Sequence, residues 1–221
     1  MSKENYLIRS FAISLVIIGL IFLGIPVTKY FIVKNRTQNS NVAITQWKTV
    51  GNLNITGAAP QTDPTKGQAK NLPALKTCPL KNLPNSDYAL VIFAPTNGQQ
   101  YAGVATNGSW SALNITSMVH YDNSAAPGQN GNMFIAFHRE PAYQYINLLS
   151  VGQTVSVQDR NCNTYVYQIT QKWVLNPNEV TQFTTSSQPI MTLITCTPWW
   201  QDYNRIVWRA VLQKTIPYTG N

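Results

Sequence analysis

Met191-Thr192-Leu193-Ile194-Thr195-Cys196 is a short apolar run that breaks at Thr197-Pro198, and nine residues after the cysteine a second run opens, Arg205-Ile206-Val207-Trp208-Arg209-Ala210-Val211-Leu212. Both are too short for ordinary helices and rich in β-formers, so both read as strands. Proline cannot donate to a ladder, so the first strand is expected to end at Cys196 and to leave its thiol at a sheet rim. Runs of the same kind are ALVIFA (89–94), YAGVA (101–105), MFIAFH (133–138), TVSVQ (154–158) and TYVYQIT (164–170). The last two flank the turn Asp159-Arg160-Asn161-Cys162-Asn163 and are expected to form a hairpin. Pro141 to Leu149 is the one stretch expected to hold a short helix. Seven or eight short strands predict an all-β domain, a closed barrel or a sandwich.

The chain has 221 residues, 44% hydrophobic and only 11% charged, with a net charge of +8. The charge is not spread evenly. Residues 86–221 hold six bases and six acids, while residues 1–85 hold ten bases against Glu4 and Asp63. A nucleic-acid binder needs its basic patch on the folded domain. Here the excess lies beside an apolar segment, which speaks against a nucleic-acid partner and for an anionic lipid or wall surface, or for a merely solvated linker.

Phe11 to Val27 is an uninterrupted uncharged run, FAISLVIIGLIFLGIPV, close to the roughly 20 residues that span a bilayer. It ends in Pro26-Val27-Thr28-Lys29-Tyr30, without a small-x-small cleavage site, and reads as an uncleaved single-pass anchor. Basic residues flank it on both sides, so the positive-inside rule does not orient it. The expected organisation is a cytoplasmic amino terminus (1–9), a transmembrane anchor (10–33), a basic polar linker (34–85) and an extracytoplasmic β-domain (86–221). Trp47 is the one aromatic of the linker and the residue by which it would dock.

Cys196, His138 and Arg205 all fall at the ends of predicted strands. A cysteine nucleophile needs an imidazole to manage protons and a fixed positive donor where negative charge develops on the attacked carbonyl. Each residue alone reads equally well as structural; it is the combination that points to covalent catalysis. Three cysteines outside the cell suggest one pair and one free thiol. If Cys196 is the nucleophile, Cys78 and Cys162 either pair or remain separate structural thiols.

The segment HYDNSAAPGQNGNMFIAFHRE (120–140) resembles the part of the sortase family in which a His-Tyr pair and a Pro-Gly-x-x-Gly-Asn turn lead into a catalytic His-Arg. TLITCTP (192–198) resembles that family's nucleophile segment, and NRIVWRAV (204–211) its arginine-bearing strand. The resemblance covers roughly residues 88–213. It implies a closed sortase-type barrel of about eight strands and a membrane-anchored cysteine transpeptidase with His138, Cys196 and Arg205 as its catalytic residues. It further implies that Cys196 attacks the threonine carbonyl of a Leu-Pro-x-Thr-Gly-like sorting signal, and that a thioester forms. The acyl group then passes to an amine of a wall-precursor peptide or to a pilin-like lysine.

Thr195 and His120 are expected to assist in substrate binding; Trp199 and Trp200 are placed to wall the groove, with buried packing expected for at least one of them. Where the family usually has glycine before its histidine, this chain has Phe137, expected to narrow the groove or to rotate the imidazole. No second hydrophobic segment is read near the C-terminus, unlike the pilus-building classes. Asp63-Pro64 only faintly resembles the lid of those classes, because Thr65 replaces the aromatic. Acids are scarce before Cys196, with Glu179 alone, so no metal and no cofactor are expected. Two rival readings are a zinc protein using His120, His138 and Cys196, and a catalytically inactive tethered domain that binds sorting-signal-like peptides.

Overall fold

The computed structural model describes residues 3–51, 78–95, 100–139, 143–199 and 201–219. Within them the chain is one long helix, α1 (Lys3–Gly51), followed by eight strands: β1 (Asp87–Phe93), β2 (Tyr101–Gly108), β3 (Met118–Tyr121), β4 (Gly131–Phe137), β5 (Thr154–Asp159), β6 (Thr164–Leu175), β7 (Pro189–Thr197) and β8 (Asn204–Ile216). They close in the order β1-β2-β3-β4-β7-β8-β6-β5, with β5 pairing back onto β1. The expected 154–170 hairpin is present as the antiparallel β5–β6 pair. Pairing is antiparallel except for β2–β3 and β4–β7.

Side chains alternate across each strand. Met133, Ile135 and Phe137 of β4, Met191 and Leu193 of β7, and Ile206, Trp208 and Ala210 of β8 point into the barrel and fill its core. The turn before β4 depends on glycine at Gly128, whose φ is +77° and whose missing Cβ leaves room for the Tyr165 ring. The Gly128 N–H donates to the Tyr167 hydroxyl at 2.8 Å, which pins this turn to β6.

Three elements differ from the sequence reading. β3 was not foreseen, because Met118, Val119 and His120 are all buried and show no alternation. The Pro141–Leu149 stretch contains only a 3₁₀ turn, Ile146–Leu148, among its described residues. The larger difference is α1. The helix continues beyond the apolar run without a break through Lys34–Gly51, which had been read as the start of a linker. At 1.5 Å per residue the helix is roughly 74 Å long. It is the one helix among the described residues long and apolar enough to cross a membrane, and the described side chains of its apolar run lie exposed.

Beyond the apolar run, α1 lies on the outside of the barrel. Val33, Arg36, Ser40, Ala43 and Trp47 recur at helical spacing and form the covered stripe. Trp47 is fully buried, and its Nε1 donates to Gln158 Oε1 at 2.8 Å. It sits in a second apolar cluster with Leu80, Leu83, Leu90, Val104 and the Cys78–Cys162 pair. Those two cysteines are joined by a disulfide, and Cys196 is the free thiol.

Candidate active site

With the inward positions of β4, β7 and β8 committed to the core, the alternate positions face out. Register then assembles the site. Ala136 of β4 is paired with Ile194 of the parallel strand β7, so two residues further on His138 comes alongside Cys196. On the other side of β7, Cys196 is paired directly with Arg205 of β8. Ala136, His138, Ile194, Cys196 and Arg205 therefore share one outer face. They line a cavity of about 560 Å³ whose far wall is built by Trp110, Leu113 and Phe183.

That wall is aromatic. Trp110 stacks on Tyr121 with centroids 4.7 Å apart, and Phe183 meets Trp110 edge-on at 5.6 Å and Phe134 at 5.0 Å. The side chains come from the 3₁₀ turn Trp110–Asn114 and from the irregular segment before β7. Neither has a periodic pattern, which is why sequence reasoning did not find them.

Cys196 is half-buried, and burial pushes its thiol above the ordinary cysteine range; Arg205 and Arg139 pull it down, and Asp202 pushes it up. At neutral pH Cys196 is therefore a thiol, and nucleophilic chemistry at its sulfur would require removal of that proton. Arg205 Nη1 donates to the carbonyls of Asp202 (2.8 Å) and Asn204 (3.1 Å), which holds the guanidinium at the strand entrance. Arg139 is fixed by Thr197 Oγ1, the Gln144 carbonyl and Asn147 Oδ1.

His138 is held from an unexpected direction. Its Nε2 lies 2.7 Å from the Leu113 carbonyl and 2.8 Å from Nη1 of Arg36, on α1. Arg36 Nη1 also donates to the Leu113 carbonyl at 3.1 Å. A single ring nitrogen either donates its proton to the carbonyl or offers its lone pair to the guanidinium. The contact thus links the proton position on His138 to the presence of α1. Arg36 had been counted only among the charges of a linker.

The other expected site residues lie differently. Thr195 lines the cavity but is buried, and its hydroxyl donates to the Phe137 carbonyl at 2.6 Å, tying β7 to β4. His120 is buried on β3, stacked on Tyr88 at 4.3 Å. Its ring nitrogens lie 2.7 Å from Asn107 Oδ1 and 3.0 Å from the Ala125 carbonyl. The structure brings His138, Cys196 and Arg205 together and leaves His120 outside their cavity. Phe137, expected to narrow the groove, packs in the barrel core on Phe93 and Tyr143, each 5.4 Å away, and also lines the cavity. Trp199 is exposed just after β7, while Trp200 and Asp63-Pro64 lie outside the described residues. Among the described residues no group of three or more His, Cys, Asp or Glu side chains is arranged to hold a metal ion.

The sortase domain family model matches residues 82–213, more than half of the chain. The chain belongs to the sortase family. A Clostridium perfringens sortase D5 transpeptidase is 25% identical, with a TM-score of 0.50 over 58% of this chain and 79% of that one. Sortase E from Streptomyces avermitilis is 23% identical, with a TM-score of 0.50 over 60% of this chain and 91% of its own. Sortase A from Listeria monocytogenes, at 18% identity and a TM-score of 0.51 over 61% and 92%, shares the fold. No curated protein sequence matches the chain. As a sortase the chain is a cysteine transpeptidase in general class, and Cys196 stands where this barrel presents a free thiol beside an imidazole and a guanidinium.

Proposed function

We propose that this sortase cleaves a Leu-Pro-x-Thr-Gly-like sorting signal after its threonine and transfers the threonine acyl group to an amine at the cell surface. The observation that carries this reading is the register: the parallel β4–β7 pair and the antiparallel β7–β8 pair place His138 and Arg205 on either side of Cys196.

In this scheme the peptide lies in the aromatic-walled cavity with its scissile carbonyl over Cys196. His138 takes the proton of the Cys196 thiol, and the thiolate so formed attacks the carbonyl carbon and forms a C–S bond. Arg205 donates hydrogen bonds to the oxyanion, a type of contact worth about 10²- to 10³-fold in rate. His138 gives a proton to the departing glycine amine as the C–N bond breaks, leaving a thioester. An amine then attacks the thioester, His138 receives its proton, and Cys196 leaves as the thiol. The anchor in α1 holds the barrel outside the cytoplasmic membrane, where a Cys78–Cys162 disulfide persists. The alternative reading, an inactive binding-only domain, needs Phe137 to block catalysis; the residue packs in the core and also lines the cavity.

The test is mass spectrometry of the full chain incubated with sorting-signal peptides and small amines, beside Cys196→Ala. The expected result is an acyl adduct on Cys196 and an amide product, both lost in the variant. Intact peptides with an unreactive Cys196 would overturn the reading.

A further inference from the structure

Arg36 reaches His138 from α1, and a cavity opens on each side of it. One, of about 220 Å³, is lined by Arg36 together with His138, Cys196 and Asp202. The other, of about 360 Å³, lies between α1 and the barrel and is lined by Arg36 together with Ser40, Asp87 and Ser117. Asp87 is buried, and its Oδ1 accepts from the Ser86 hydroxyl at 3.3 Å. Farther along, α1 is fixed by Trp47 in the cluster around the disulfide. The Arg36 side chain thus has space and a carboxyl group on its far side. It can leave His138 while α1 stays docked.

The three atoms that meet at this point form a nearly equilateral triangle. His138 Nε2 lies 2.7 Å from the Leu113 carbonyl oxygen and 2.8 Å from Arg36 Nη1, and those two lie 3.1 Å apart. Both contacts of Nε2 have hydrogen-bond length. A guanidinium only donates and a carbonyl only accepts. A neutral ring therefore satisfies one of the two at a time. While Arg36 donates to Nε2, the ring proton sits on Nδ1, and the second N–H of Nη1 serves the Leu113 carbonyl. Once Arg36 withdraws, Nε2 carries the proton and donates to Leu113, and Nδ1 holds the lone pair. The first arrangement wins while Arg36 is in place, because a charged donor makes a hydrogen bond roughly twice as strong as a neutral one.

We infer that Arg36 is a positioning residue that sets the tautomer of His138, and that acylation of Cys196 waits until this side chain has left Nε2. The inference rests on the transpeptidase reading above and deepens it by adding a control on the first step. Nε2 faces α1 and the Trp110–Asn114 turn, so proton exchange with Cys196 falls to Nδ1. In that step the S–H bond breaks, the proton passes to Nδ1, and the electron pair stays on sulfur and attacks the peptide carbonyl. Nδ1 receives the proton only when it holds a lone pair, which is the arrangement without Arg36. With Arg36 in place Nδ1 already carries a proton and Nε2 is occupied, so the ring has no site for the thiol proton. In the serine-protease triad, holding the histidine in the wrong tautomer costs about 10⁴-fold in rate.

The chain has two histidines, so nitrogen-15 NMR of the histidine-labelled full chain in nanodiscs reads the tautomer directly, with His120→Gln to assign the signals. Spectra are taken at mildly alkaline pH, where imidazoles are neutral. The wild-type chain should show His138 protonated on Nδ1 and bare on Nε2. Arg36→Met should reverse the pattern, and Arg36→Lys should keep it. Single-turnover acylation by a Leu-Pro-x-Thr-Gly peptide is measured beside the spectra. Arg36→Met should acylate roughly ten- to hundredfold faster than wild type, the scale of one charge-assisted hydrogen bond. Arg36→Lys should stay near the wild-type rate. Asp87→Asn removes the charge from the far cavity, so it should hold Arg36 on the ring and slow acylation.

A proton on His138 Nε2 in the wild-type chain overturns the inference, and that spectrum alone decides the matter if Arg36→Met does not fold. So does an Arg36→Met chain with an unchanged unfolding temperature that acylates no faster. The same spectra taken on Cys196→Ala read the tautomer without turnover, so the two readings fail separately. A tautomer that follows Arg36 while no variant forms an acyl-enzyme upholds the control on His138 and counts against the transpeptidase reading. A tautomer indifferent to Arg36 in a chain that acylates counts against the control alone.

Discussion

Cys196 and Arg205 stand directly opposite each other across the β7–β8 ladder. Side chains opposed in an antiparallel pair have Cβ atoms about 5 Å apart, so Arg205 acts on the sulfur from a neighbouring position, and of the charges that act on the thiol its effect is the largest. Burial raises the Cys196 thiol, Arg205 opposes it, and Asp202 adds to it. Alkylation of Cys196 by iodoacetamide should therefore accelerate with pH to a midpoint above that of a free cysteine. Arg205→Gln should move the midpoint further up, and Asp202→Asn should move it down. The opposite order in the two variants would show that the charges act on the thiol by another route.

Trp47 links α1 to the barrel by packing and by its hydrogen bond to Gln158, itself buried. Trp47→Ala should cost about 3–5 kcal/mol of stability, as truncation of a buried tryptophan does. Trp47→Phe keeps most of the packing but leaves the Gln158 oxygen without this donor, at about 1–3 kcal/mol. Thermal unfolding of the full chain distinguishes the two. Equal losses would mean that the hydrogen bond is immaterial.

Much of this was legible from residues alone, for reasons that can be named. The seven runs read as strands are those with a strong β-forming composition and a turn on each side, and each lies within an observed strand or overlaps most of one. The short β3 is buried on consecutive residues and carries no period. The helix beyond Lys34 was missed because its covered stripe mixes Arg36 and Ser40 with Val33, Ala43 and Trp47, so it does not read as apolar. Cys196, His138 and Arg205 stand out because each sits at a strand end. Trp110, Leu113 and Phe183 come from irregular segments, and Arg36 reaches His138 from 102 positions away. Only the closed barrel and the docked helix bring these together.

The Cys78–Cys162 disulfide closes a loop across 84 positions of sequence. In the chain-entropy account a loop of that length is worth about 4–5 kcal/mol. Thiol titration of the unfolded chain should find one reactive cysteine before reduction and three after it. Reduction, or Cys78→Ser with Cys162→Ser, should lower the unfolding temperature without removing the Cys196 adduct. Loss of the adduct with the fold intact would tie the disulfide to catalysis.

Metal removal should leave turnover unchanged. A hard cation wants several oxygen ligands, mostly carboxylates. Glu179 is instead engaged in capping its own turn, its Oε2 accepting from the Asn176 N–H at 3.2 Å. Activity measured after dialysis against a chelator should match that of untreated protein, and added calcium should not raise it. A chelator-sensitive rate restored by calcium would require a ligand set that Glu179 alone does not provide.

His120 gives the fold a pH dependence of definite sign. Burial lowers its pKa, only partly offset by the Ala125 carbonyl and by Asp122. Above about pH 6.5, the ordinary histidine value, the ring is neutral in folded and unfolded chains alike and contributes nothing to the slope. Below it the unfolded chain takes up a proton that the buried site refuses. Stability therefore falls as pH drops through the unfolded value, and continues to fall until the lowered folded value is reached. Asp87 works in the opposite sense at more acid pH, since burial raises its carboxyl and the folded state binds the proton first. Urea unfolding of the full chain should lose stability between neutral pH and about pH 5. His120→Gln should flatten that decline while lowering stability at neutral pH, because the stack on Tyr88 is lost. A variant with an unchanged slope would assign the decline to another group.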